Sequence, residues 1–110
     1  MRRVLFGDFA RLATAGFDDV LRGGPVEVLR ADGRDLFERL ADGLPDVVVL
    51  DLEHPGTPAR ICRLVHEFPA LTVVTCSTRH PLMRVYPPFH HGECYEDDLE
   101  LDAFVLALQG

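Results

Sequence analysis

The stretch LPDVVVLDLEHPG, Leu44 to Gly56, decides the fold. From Asp46 to Leu52 it is apolar without alternation until Asp51, the pattern of a strand covered by helices on both faces. A carboxylate buried inside such a strand without a partner would be strongly destabilising, so Asp51 belongs at the open end of a central strand. The flanks on either side read as repeated strand and helix units.

Upstream, Arg3–Phe6 is a short buried strand, and from Phe9 the positions Phe9, Leu12, Ala13, Phe17, Val20 and Leu21 follow helical spacing until Gly23-Gly24. Val26–Ala31 is a second strand. Asp32 can cap a helix whose core face is Leu36, Phe37 and Leu40, closed by Gly43. Downstream, Thr57-Pro58 reads as an N-cap followed by proline at the first helical position, with Ile61, Leu64, Val65 and Phe68 inward and Pro69 as the stop. Leu71–Ser77 is a fourth strand. A last helix is expected from Asp97, with Glu100 completing a capping box and Leu101, Phe104, Val105 and Leu108 on one face. Residues 78–96 carry Pro81, Pro87 and Pro88 and fit neither period, which predicts a loop or distorted short elements. Strands alternating with helices imply right-handed crossovers and an α/β fold with a doubly wound parallel sheet of four to five strands.

Length and composition bound the rest. At 110 residues and 47% hydrophobic content, one domain with a single real core is expected over residues 1–110. No apolar run is long enough for a membrane span, and the N-terminus lacks the pattern of a signal peptide, so a cytoplasmic location and no membrane partner are expected. The three cysteines, Cys62, Cys76 and Cys94, stand at wide spacings that suit neither a disulfide framework nor a paired zinc motif. The formal charge is −7, and all eleven basic residues are arginine. No arginine follows Arg84, while Glu93, Glu96, Asp97, Asp98, Glu100 and Asp102 do, so that segment repels nucleic acid and is either a solvated face or a surface for a basic partner.

In open α/β sheets, ligands bind outside the carboxyl ends of the strands. Asp8 follows the first strand, Asp51 ends the third and Ser77 ends the fourth, so the three converge if those strands are neighbours. Asp8 can equally cap the first helix, and Ser77 can satisfy a backbone group.

On these residues the chain resembles the receiver domain of response regulators. RVLFGDFARLATAGF (Arg3–Phe17) looks like the first strand and helix of receivers, with Asp8 on the first acid of their acidic pair. PDVVVLDLEHPG (Pro45–Gly56) follows the pattern around their phosphoacceptor aspartate, which falls on Asp51, and FPALTVVTCS (Phe68–Ser77) resembles the strand ending in the hydroxyl residue that contacts the phosphoryl group, here Ser77. The resemblance implies a flavodoxin-like sheet in the order 2-1-3-4-5 and a place in two-component phosphorelay signalling. It runs from Arg3 to about Ser77 and departs from the family afterwards.

The departures bear on chemistry. An anionic phosphoryl group must be neutralised by a divalent cation and a fixed positive charge. The second acid of the pair corresponds to Phe9, leaving Asp8, Asp51 and a backbone carbonyl near Glu53 as a reduced set that would hold Mg2+ weakly, if at all. The lysine that receivers carry at the end of the fifth strand has no counterpart, since the chain contains none, and neither Arg79 nor Arg84 matches its position. His90, His91 and Cys94, like His54 beside Asp51, do not form a paired metal motif, so surface or partly packed histidines are expected. Cys62 in the third helix and Cys76 in the fourth strand are expected to act as small apolar residues.

These features predict a degenerate pseudo-receiver, not an enzyme, that signals by protein binding to a partner or as a homodimer, with the fourth helix and fifth strand region shortened or remodelled. Tyr86, Phe89 and Tyr95 are the expected interface anchors. A phosphorylatable receiver using Asp51, or a small-molecule sensor at the strand-end crevice, are the alternatives.

Overall fold

The structure is a computed structural model, and it describes residues 2–7, 21, 24, 26–30, 35–77, 79–89 and 93–109. The run Asp46–Leu52 forms β3 (Val47–Asp51), whose first four residues are buried and whose last, Asp51, is half-buried at the strand end. Around it stand β1 (Arg2–Phe6), β2 (Val26–Arg30) and β4 (Thr72–Cys76), all parallel, with β1 between β2 and β3 and β4 on the far side of β3. Among the described residues, the helices that accompany them in full are α1 (Leu36–Asp42), α2 (Thr57–Glu67) and α3 (Leu101–Gln109).

The second half of the sheet departs from the sequence expectation. The sheet has six strands in the order β2-β1-β3-β4-β5-β6, and β5 (Leu82–Tyr86) and β6 (Tyr95–Asp98) are both antiparallel to their neighbours. The sheet is therefore mixed, not wholly parallel. The cause is chain length: residues 77–81 alone join β4 to β5, whereas a parallel crossover takes a dozen or more residues. No helix fits in that span, and the chain turns back as a hairpin. Residues 78–96, expected as a loop or distorted short elements, thus supply a whole strand and the start of another.

The last helix also begins later than expected. Asp97 lies in β6 opposite Met83, and the first hydrogen bond of α3 runs from the Phe104 amide to the Glu100 carbonyl, 2.8 Å. The capping-box spacing from Asp97 to Glu100 is coincidental, because strand pairing takes up the Asp97 backbone. At α1 the cap is Asp35, whose carboxylate accepts from the Phe37 amide at 3.2 Å, and Gly43 closes the helix as read. The expected cap Asp32 lies outside the described residues, as does the first predicted helix apart from Leu21, which is helical and 2% exposed. At α2 the N-cap is Gly56, and Thr57 is the first helical residue.

Side-chain alternation along the strands divides the core between the two faces. Leu5, Val48, Leu50 and Val73 pack with Leu36 and Leu40 of α1 and Leu64 of α2. Val4, Phe6, Val47, Val49, Val74 and Cys76 pack with Met83, Val85 and, from α3, Phe104 and Leu108. Among the described residues, no helix is long and apolar enough to cross a membrane.

Candidate strand-end site

The carboxyl ends of β3 and β4 lie side by side because Asp51 pairs with Cys76, so Ser77 is the next residue past Asp51 on the neighbouring strand. The end of β1 abuts β3 through a hydrogen bond from the Gly7 amide to the Val49 carbonyl, 2.9 Å. Asp8, the third expected member of the pocket, lies outside the described residues.

Beyond Asp51 the chain folds back on its own side chain. Asp51 Oδ1 accepts from the Glu53 amide at 3.0 Å, and the Asp51 carbonyl accepts from Thr57 Oγ1 at 2.6 Å. Thr57 is 2% exposed, so its hydroxyl anchors the start of α2 to the strand end and does not cap the helix. His54 Nδ1 accepts from the Gly56 amide at 3.0 Å, bracing the loop between them. The Asp51 side chain is thereby fixed by the turn of its own loop.

Ser77 is held from three directions. Its hydroxyl donates to Glu53 Oε1 and accepts from the Arg79 and His80 amides, at 3.1 and 3.0 Å. The Arg79 amide reaches Glu53 Oε1 as well, at 3.3 Å. A hydroxyl offers one donor and two acceptor sites, and all three are used. Glu53 was expected to contribute only a backbone carbonyl. Its side chain instead joins the loop after β3 to the turn between β4 and β5, a pairing that no sequence period reveals across 24 residues.

The same charges act on Cys76, which is fully buried one residue earlier. Burial pushes its thiol up to about 12, and the negative charges of Asp51 and Glu53 push in the same direction. Cys76 is thus a neutral, apolar member of the core, not a nucleophile.

Arg84 stands in β5 opposite Thr75 and forms an ion pair with Glu96 at 3.6 Å, while Arg79 meets Glu53 through its backbone amide. Among the described residues, no group of three or more His, Cys, Asp or Glu side chains converges to hold a metal ion. His90 and His91 lie outside the described residues.

The expected interface anchors divide. Tyr86 is 8% exposed and packs in its own core with Leu71 and Val73, so it is not a surface anchor, because the alternation of β5 turns it toward α1 and α2. Its burial, and secondarily Cys94, raise the phenol above its ordinary range. Phe89 and Tyr95 are 62% and 51% exposed. Phe89 has φ of 57°, in the left-handed region, and its amide donates to the Pro69 carbonyl at 2.8 Å.

No protein-family model matches this chain, and no curated protein or solved structure is significantly similar to it.

Proposed function

We propose that the chain is a receiver-like signalling module on a flavodoxin-like sheet, one that works by associating with another protein and does not run the phosphorylation cycle. The observation that carries this reading is the bond between Ser77 and Glu53. In a working receiver the strand-end hydroxyl turns to an incoming anionic group beside the phosphoacceptor; here a carboxylate of the same chain already holds that hydroxyl. A second anion at Asp51 would have to displace Glu53 and sit beside it, with like charges repelling.

The direction of β5 supports the same reading. Because β5 is antiparallel to β4, its C-terminal residue Tyr86 pairs with Val73, three residues back from Cys76. At about 3.4 Å per residue that is roughly 10 Å from the Asp51 end of the sheet. A cation placed at the end of this strand would not reach the pocket, and the residues of β5 nearest to it, Leu82 and Met83, are apolar.

The test is to treat the protein with acetyl phosphate, or with beryllofluoride, in the presence of Mg2+ and follow its intact mass. The mass is expected to stay unchanged. A stable phosphate adduct that disappears in Asp51→Ala would overturn the proposal in favour of a phosphoacceptor receiver.

A further inference from the structure

We propose that the groove between α3 and the β5–β6 hairpin is the docking site for a basic segment of a partner protein that inserts one large apolar side chain. The proposal rests on the protein-association reading and identifies the surface and the chemistry of its partner.

The groove has a simple origin. Phe104 and Leu108 turn into the core, but on the flank of α3 facing the hairpin the residues are Ala103 and Ala107, one turn apart. Their small side chains leave a cavity of about 300 Å³ above Val85, bounded on the strand side by Tyr95 and Asp97. Two large apolar side chains stand in water at its edge, Leu106 at 69% and Tyr95 at 51% exposure. An apolar recess with exposed apolar rims gains from a side chain that fills it.

Charge selects the occupant. Asp97 is the one charged residue lining the groove among the described residues. Asp102 is exposed four residues before Leu106, on the same side of α3. Alternation along β5 and β6 puts Tyr95 and Asp97 on the α3 face with Met83 and Val85, and puts Arg84 and its partner Glu96 on the opposite face. Arg84 therefore does not neutralise the groove, and Arg2 meets α3 beyond it, donating to the Leu108 carbonyl at 3.3 Å without lining the cavity. A segment with Arg or Lys flanking a Leu, Phe or Trp matches both parts of the surface, and its association should be steered by the negative field and weakened by salt.

The full chain is titrated with fluorescein-labelled dodecapeptides carrying a central Leu or Trp flanked by arginines, alongside versions with Ser at the centre and versions with Glu for Arg. The apolar basic peptides are expected to bind about tenfold more tightly than the Ser versions, and more weakly as salt rises from about 50 to 300 mM. Amide NMR shifts should cluster at Tyr95–Asp97 and Ala103–Ala107. Ala107→Trp, which fills the groove, and Asp97→Arg, an exposed change, should each weaken binding about tenfold with unfolding midpoints retained. The proposal is overturned if the Ser versions bind equally well, if both variants bind normally, if shifts map elsewhere, or if no peptide binds at about 1 mM. It is also overturned if sedimentation equilibrium finds a dimer whose contacts bury the groove, which would make a second copy the occupant. Failure of the peptides with Asp51 unmodified removes this groove alone, whereas a phosphate adduct on Asp51 removes the protein-association reading itself.

Discussion

Replacing Ser77 by alanine should destabilise the protein by about 2–3 kcal/mol, and the size follows from the contacts of one oxygen. The bond to the Glu53 carboxylate is charge-assisted and contributes about 1.5–3 kcal/mol, at the lower end here because Glu53 is half-buried. The Arg79 and His80 amides belong to exposed residues, recover water when the hydroxyl is gone, and add about 0.5 kcal/mol each. With an unfolding entropy of about 0.23 kcal/mol/K for this length, Tm should fall by about 9–13 °C. Urea unfolding followed by circular dichroism reads the loss directly. Ser77→Thr keeps the hydroxyl and should retain most of the stability. A double-mutant cycle with Glu53→Ala isolates the pair, and a coupling energy of about 1.5 kcal/mol is expected. A loss below about 0.5 kcal/mol for Ser77→Ala, or a coupling near zero, would refute the assignment of Ser77 and Glu53 as a clamp.

Three further outcomes follow from the same structure. With the Cys76 thiol raised from 9.0 to about 12, both states are protonated below pH ~9, so stability is untouched there; above it the unfolded state ionises first, and stability should fall by about 1.4 kcal/mol between pH 8 and 10, a slope that Cys76→Ala should remove in urea titrations. Gly7→Ala would bring a Cβ to 2.7 Å from Leu50 Cδ2, a side chain only 1% exposed, so a loss of about 1–3 kcal/mol is expected, and a neutral result would mean that this core yields easily. Phe89→Gly should be neutral or raise stability by up to about 1 kcal/mol, because it relieves the left-handed backbone of an exposed ring; a loss beyond about 1 kcal/mol on denaturant unfolding would place the ring in a packed site.

The parts of this fold that are legible in sequence are those whose burial is two-sided or whose breakers are unambiguous. Asp46–Leu52 and Leu71–Ser77 lack alternation because helices cover both faces, and they form β3 and β4 within a residue of the reading. Pro58 and Pro69 bracket α2 for the same stereochemical reason that prolines usually bracket helices. β6 was not legible. Tyr95–Asp98 holds three acids, which disfavour strands intrinsically, and all four residues are exposed. It is a strand because β5 offers it a ladder from Leu82↔Asp98 to Val85↔Tyr95, a tertiary effect with no local period. At the strand-end site, Asp51 and Ser77 were readable as strand termini. The link through Glu53 was not, because a loop acid that bonds across a sheet looks the same in sequence as one that points to water.

The clamp at the turn and the groove beside α3 share one element, β5, and its register constrains both. Met83 and Val85 are buried against α3 because Met83 pairs with Cys76 and Val85 with Val74. A slip of one residue along β4 would exchange the two faces of β5. Arg84 would then enter the core lined by Phe104 and Leu108 without a partner, while Met83 would leave it. Burying an unpaired guanidinium is far more unfavourable than losing the hydrogen bonds of Ser77. The alternation in LMRVY therefore holds the register even where the turn is weakened, and the clamp adds stability and a fixed turn on top of a register that packing already enforces. For the same reason the groove, built on β5 and β6, depends on the packing of Met83 and Val85 under α3 and not on the state of the Asp51 pocket.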